Sequence, residues 1–169
     1  MATERFKDGQ LERSAVNGAS NIPYDISKVL VDYVMANTKV PVGWWRSVYN
    51  SQNAFANEGF IDELAQKAGT DPYQFRLNLL KNAPRHLGVL KLAAEKANWG
   101  KKMAKGQGMG IALHESFGSW AAHVAEITVT KTGELSIDKI VAAVDCGLVV
   151  NPDGVKAQKI GRASCRERV

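Results

Sequence analysis

The chain has 169 residues, 45% of them hydrophobic and 23% charged, with a net charge of +5; that suits one globular domain, or one lobe of a larger one, rather than a disordered chain. No apolar run approaches the ~20 residues of a membrane span, and residues 1–8 hold no apolar core of a secretion signal. The positive charge does not describe a nucleic-acid surface, because Lys159, Arg162, Arg166 and Arg168 against Glu167 put most of it in the last eleven residues, and no basic stripe precedes them.

Residues 1–22 are small and polar and read as loop. Residues 26–35 are rich in β-branched and aromatic side chains, which predicts a strand. Pro41 and Gly43 end it, and Trp44-Trp45-Arg46 follows on a loop. From 51 to 68, Ala54, Ile61, Leu64, Ala65 and Ala68 recur at helical spacing, with Gly69 as a stop. Asp71-Pro72-Tyr73-Gln74 has the form of a capping box. It opens a second helix whose inward face carries Tyr73, Leu77 and Leu80. A third helix is expected over 85–99, with Leu87, Leu90, Ala94 and Ala97 inward and Gly100 after it.

Beyond the linker 101–108 the period changes to two. Residues 110–114 are a short apolar strand, and 119–130 alternate, with Ala121, His123, Ala125, Ile127 and Val129 sharing a face. Lys131-Thr132-Gly133 forms a hairpin loop. Residues 135–144 return as a strand, and its segment 140–144 is apolar on both faces, which predicts a central strand covered on both sides. Asn151-Pro152-Asp153 starts a helix, with Asn151 or Asp153 as its cap. The segment 160–169, Ile-Gly-Arg-Ala-Ser-Cys-Arg-Glu-Arg-Val, follows neither period. It resembles the translation of a sequencing adapter, so residues 159–169 are expected to be a non-native tail, and Cys165 carries no argument.

Two stretches resemble a known family. One is Val-Pro-Val-Gly-Trp-Trp-Arg-Ser-Val-Tyr-Asn-Ser-Gln-Asn-Ala-Phe-Ala-Asn-Glu at 40–58. The other runs from Gly-Ile-Ala-Leu-His-Glu-Ser-Phe-Gly-Ser at 110–119 to Asp145-Cys146-Gly147 and Asn151-Pro152-Asp153. They resemble the β-subunits of isoquinoline 1-oxidoreductase-like enzymes, a branch of the xanthine dehydrogenase/aldehyde oxidase superfamily. The resemblance covers residues 1–158, which it implies are part of the molybdopterin-binding domain of a molybdenum hydroxylase. The expected fold class is α+β, with a helical insert between the strands of a mixed sheet.

The resemblance further implies a molybdenum–molybdopterin cofactor, in its cytosine dinucleotide form. It implies [2Fe–2S] clusters on a partner iron–sulfur small subunit, and hydroxylation of an N-heterocyclic aromatic or aldehyde substrate with water-derived oxygen. The bacterial cytoplasm and periplasm both remain open as the location. Trp45, Arg46 and Ser47 occupy the place of the family's loop beside the molybdenum. An always-charged guanidinium there suits an anionic cofactor. Val48 falls on the substrate side. Asp145-Cys146-Gly147 is expected to act as scaffold. The family's glycine-rich cofactor segment and its general-base glutamate have no counterpart in residues 1–158. No catalytic residue is therefore assigned, and the chain alone is expected to be inactive.

His114-Glu115 begins like a zinc-protease motif, but Gly118 stands where the second histidine is needed, so polar residues lining a cleft are expected there. Asp62-Glu63 reads as a solvated helix face and Cys146 as a small buried hydrophobe. The competing reading is a complete small α+β binding or interaction module without catalytic activity. Such a module covers strand 140–144 on both faces, whereas part of a larger domain leaves an open apolar patch.

Overall fold

The structure is a computed structural model, which describes residues 13–34, 40, 43 and 45–166. After a short 3-10 turn at Arg13–Val16 come three helices, α1 (Asn50–Lys67), α2 (Pro72–Leu79) and α3 (Pro84–Ala97). Three strands follow, β1 (Gln107–Ser116), β2 (Ser119–Val129) and β3 (Leu135–Asp145), and then α4 (Pro152–Arg166). The strands form one antiparallel meander in the order β1-β2-β3. The fold is thus α+β.

Helix boundaries follow their local chemistry. Asp71 caps α2 by accepting from the Gln74 backbone N–H at 2.9 Å, and Pro72 follows where its missing N–H costs nothing. The reciprocal half of the capping box does not form, because the Gln74 side chain donates forward to Asn78. α3 stops at Ala97, two residues before the expected end, where Asn98 turns left-handed at φ 53° and its N–H closes onto Ala94 and Glu95. The β2–β3 loop turns on Gly133 at φ 89°, as expected. Asn151 accepts from the Gly154 N–H at 3.0 Å and starts α4, which runs through Arg166.

The core is the seam between α3 and one face of the sheet. Val89, Leu90, Ala93, Ala94 and Ala97 of α3 meet Ile111, Leu113, Ala122, Val124 and Ala143. On β2, therefore, the buried positions are the even ones Ala122, Val124 and Glu126, and the odd positions that the alternation groups together lie on the other face, half-buried or exposed. Ile61 of α1, Leu80 and Tyr24 extend the core away from the sheet.

Two expectations are corrected. Residues 26–34 form no strand; Val29, Leu30, Val31 and Val34 are exposed. β-propensity describes fit to a pleated, paired surface, and among the described residues no strand pairs with this segment. Among the described residues the helices precede the strands, and every strand pair is antiparallel. Finally, β3 lies at the edge rather than the centre, and in 140–144 only Ala143 is fully buried.

Candidate functional site

Trp45, Arg46, Ser47 and Val48 form the turn that leads into α1. The Val48 N–H donates to the Trp45 carbonyl at 2.9 Å, and the Asn50 N–H to the Ser47 carbonyl at 3.0 Å. Ser47 and Val48 both take left-handed backbone, at φ 71° and 48°. Neither is glycine, and Val48 is β-branched, so each costs about 1–3 kcal/mol relative to relaxed backbone. Such a turn persists only when its surroundings over-determine it. Trp45 and Arg46 are exposed, while Ser47 and Val48 are half-buried. The Arg46 guanidinium reaches across to α4, where its Nη2 donates to Oε1 of Gln158. Among the described residues Arg46 makes no cation–π contact with Trp45; that role belongs to Arg85 on Trp120. Trp44 lies outside the described residues. Tyr49 stands at the N-cap of α1 and makes no capping bond with its side chain. The positive end of an 18-residue helix and an exposed arginine thus share one surface, a combination suited to anionic groups.

The turn rests on a set of asparagines. Asn50, Asn53 and Asn57 follow one another at i, i+3 and i+7 on α1, which puts them on one helix face. Asn53 donates to the carbonyls of Ala15 and Asn17, and Asn57 to that of Gly18, so the segment before Tyr24 is strapped to α1. Asn50 faces β1: its Oδ1 lies 3.0 Å from Nε2 of His114. An amide oxygen only accepts, so this nitrogen carries the proton. Gly18, at φ 81°, closes over the pair; a Cβ there would stand 2.7 Å from Asn50 Oδ1 and 2.9 Å from His114 Cε1.

A small cleft opens beside this contact, lined among others by Asn57, Glu58, His86, His114 and Glu115. The expectation that His114 and Glu115 line a cleft is met. Burial lowers the pKa of both His86 and His114 below the usual imidazole value, against the nearby Glu115 carboxylate. Among the described residues no group of three or more side chains suits a metal ion.

Beneath the cleft lies a buried ionic hub that the sequence reading missed. Glu58 accepts from the Tyr24 hydroxyl at 2.6 Å, from Arg76 Nε at 3.1 Å and from the Leu113 backbone N–H at 2.8 Å. Arg76, fully buried, also donates to Asp62 at 2.6 Å and to the carbonyls of Glu58 and Pro72. Asp62, with a side chain 44% exposed, is therefore a partner of Arg76 at the edge of the solvated face that Glu63 continues. Burial raises the pKa of Glu58, while Arg76 and the three donors pull it back down. The spacing did carry a signal. Glu58 stands four residues after Ala54, three before Ile61 and seven before Ala65, on the buried stripe; Arg76 stands three after Tyr73 and four before Leu80. A charged residue on an apolar stripe requires a partner on the facing stripe.

At the same end of the sheet, one cross-strand row beyond His114, Asp145 closes β3 onto α3. Its carboxylate takes both Arg85 Nε and Nη2 at 2.6 Å and the Gly147 N–H at 3.0 Å. Those bonds, Arg85 first, lower its pKa to about 2. Arg85 lies 3.5 Å from the centre of the Trp120 ring, whose N–H donates to His86 Nδ1 at 3.1 Å. Asp145-Cys146-Gly147 is thus a structural turn, and Cys146 is a half-buried free thiol.

The molybdopterin cofactor-binding domain family matches residues 2–80, the part of the chain that carries the Trp45–Val48 turn and the asparagine face. A subunit of the nicotinate dehydrogenase of Pseudomonas putida is 35% identical over 154 residues, spanning 80% of this chain and 13% of that protein. The β-subunit of the isoquinoline 1-oxidoreductase of Brevundimonas diminuta is 31% identical, over 83% of this chain and 18% of that protein. A membrane-bound aldehyde dehydrogenase of Gluconacetobacter polyoxogenes, named for pyrroloquinoline quinone, is 36% identical, over 72% and 18% respectively. The chain therefore spans less than one fifth of the length of each of these relatives. No solved structure matches it significantly. On these matches, the chain belongs to the molybdopterin-binding proteins of the xanthine dehydrogenase family.

Proposed function

We propose that this chain forms one wall of the cofactor site in a molybdenum hydroxylase that oxidises an N-heterocyclic aromatic or aldehyde substrate. The observation that carries the reading is the Trp45–Val48 turn: an exposed guanidinium beside the start of α1, on backbone strained at two consecutive positions. Strain of this kind collects at ligand clamps. The residues fit a phosphorylated pterin, since the Arg46 guanidinium supplies charged donors to anionic oxygens and the N-terminal end of α1 adds the positive end of its dipole. When bound, the cofactor supplies the two-electron oxidation that inserts a water-derived oxygen into the substrate. The chain's own part is to bind and orient. Arg46 holds the cofactor's anionic face, Trp45 and Ser47 shape the turn, and Val48 borders the substrate. The names of the relatives, for nicotinate, isoquinoline and aldehyde, support this substrate class.

In this reading the cofactor is the cytosine dinucleotide form, electrons leave through [2Fe–2S] clusters of an iron–sulfur partner subunit, and the general base comes from a segment other than residues 1–158. The chain alone is then inactive, its helical portion is an insert in a larger mixed sheet, and residues 159–169 are a non-native tail. The open face of the sheet supports membership of a larger domain over a complete small module: Gly110, Ala112, Ala121, Ala125, Ile140 and Ala142 are small or apolar, yet half-buried or exposed. The test is Arg46→Ala in the full-length subunit, purified with its iron–sulfur partner. Cofactor content measured as molybdenum per protein is expected to fall severalfold, with Arg46→Lys intermediate, since lysine lacks the planar fork. Full molybdenum content and unchanged turnover in Arg46→Ala would overturn the proposal.

A further inference from the structure

We propose that His114 is a positioning residue for the Trp45–Val48 turn, holding it through Asn50 in the conformation that presents Arg46. The inference rests on the proposed function for what the turn presents, but not for how the turn is held. Two consecutive left-handed residues need outside support. Besides the bond from Arg46 to Gln158 of α4, three bonds supply it. Ser51 Oγ donates to the Val48 carbonyl at 2.8 Å. The Asn50 N–H donates to the Ser47 carbonyl at 3.0 Å. The third pins Asn50 itself, because His114 Nε2–H donates to its Oδ1 at 3.0 Å.

The third bond differs from the other two. Ser51 and Asn50 belong to the same stretch of chain as the turn and move with it. His114 lies 64 residues on, in β1, whose backbone is bonded along its length to β2 and is also held by Glu58 at the Leu113 N–H. It is the rigid anchor. Asn50 is buried, so its amide oxygen has few alternatives to this donor. Gly18 seals the pair from the other side, at a distance that admits no side chain. A histidine suits the task, since a neutral ring offers a planar N–H donor at the reach required.

The experiment is hydrogen–deuterium exchange on the full-length subunit prior to cofactor loading, with His114→Leu, His114→Gln and Gly18→Ala. Glutamine can place an N–H near the position of Nε2; leucine fills the space without donating. In His114→Leu and Gly18→Ala, peptides covering 45–56 are expected to exchange about five- to tenfold faster, as loss of one buried hydrogen bond gives. Peptides from α3 and β2 should stay as slow as before, and His114→Gln should restore slow exchange at 45–56. Unchanged exchange there in a folded His114→Leu overturns the inference, and so does loosening that spreads equally to α3 and β2. If His114→Leu does not fold, Asn50→Ala reads the same contact from its other end, with the same two overturning results. Faster exchange at 45–56, combined with full molybdenum content in Arg46→Ala, sustains the positioning role and overturns only the cofactor reading.

Discussion

Arg76 sits without solvent contact in a chain of modest size, and every group around it is spoken for. Glu58, Asp62 and two backbone carbonyls accept from it, while Glu58 also takes Tyr24 and the strand at Leu113. Such hubs are weak sources of net stability but severe points of failure, because removing one partner leaves the other charge buried. Arg76→Met is expected to destabilise the folded chain by about 3–5 kcal/mol in urea unfolding, and Glu58→Gln, which keeps an acceptor for Leu113 and Tyr24, by clearly less. Equal losses would mean that shape rather than charge holds this centre. The site residues were legible to different degrees. Trp45, Arg46, Ser47 and Val48 are contiguous, so a motif delivers them together. Their supports, His114 and Gln158, lie 64 residues beyond Asn50 and 112 beyond Arg46, and only the folded chain brings them close. Glu58 and Arg76 could have been found by reading charge on an apolar stripe as a demand for a partner.

Among the elements, the helices were the most readable, since their starts and stops are set within a few residues. Asp71 is the clearest case, serving two elements: it caps α2 and accepts the Trp99 indole N–H from beyond α3 at about 3.1 Å. Asp71→Ala should cost about 1–2 kcal/mol by denaturant titration, and Asp71→Asn should recover most of it, because the amide oxygen still caps. A full loss in Asp71→Asn would place the effect on charge rather than on the cap. Strand identity was less legible. Residues 26–34 carry strong β-propensity but pair with no strand among the described residues, and propensity without pairing leaves backbone groups unmet. β3 is apolar on both faces and still lies at the edge. The same strand shows why one-letter alternation could not choose the buried side of β2: alanines occupy both faces.

Taken as a whole, the molecule responds to acid in two ranges. The pKa values of His86 and His114 are lowered by burial, so as pH falls below about 6.5 the unfolded chain takes up protons before the folded one, and stability drops. The Asp145 pKa, lowered to about 2 from its ordinary 3.8, stabilises the fold above about pH 4, and that contribution is lost as pH falls through the folded value. Urea midpoints measured from pH 7.5 to 5.5 and again from pH 4 to 2 should show both declines, with Asp145→Asn flattening the second; a second decline of the same depth in that variant would remove Asp145 from the account. The junction that Asp145 closes also has an optical consequence. The Trp120 ring carries a guanidinium on its face and an imidazole at its edge, and both contacts change when that junction opens. In a background without the other three tryptophans, its emission becomes a label-free gauge of whether the end of β3 is still fastened to α3.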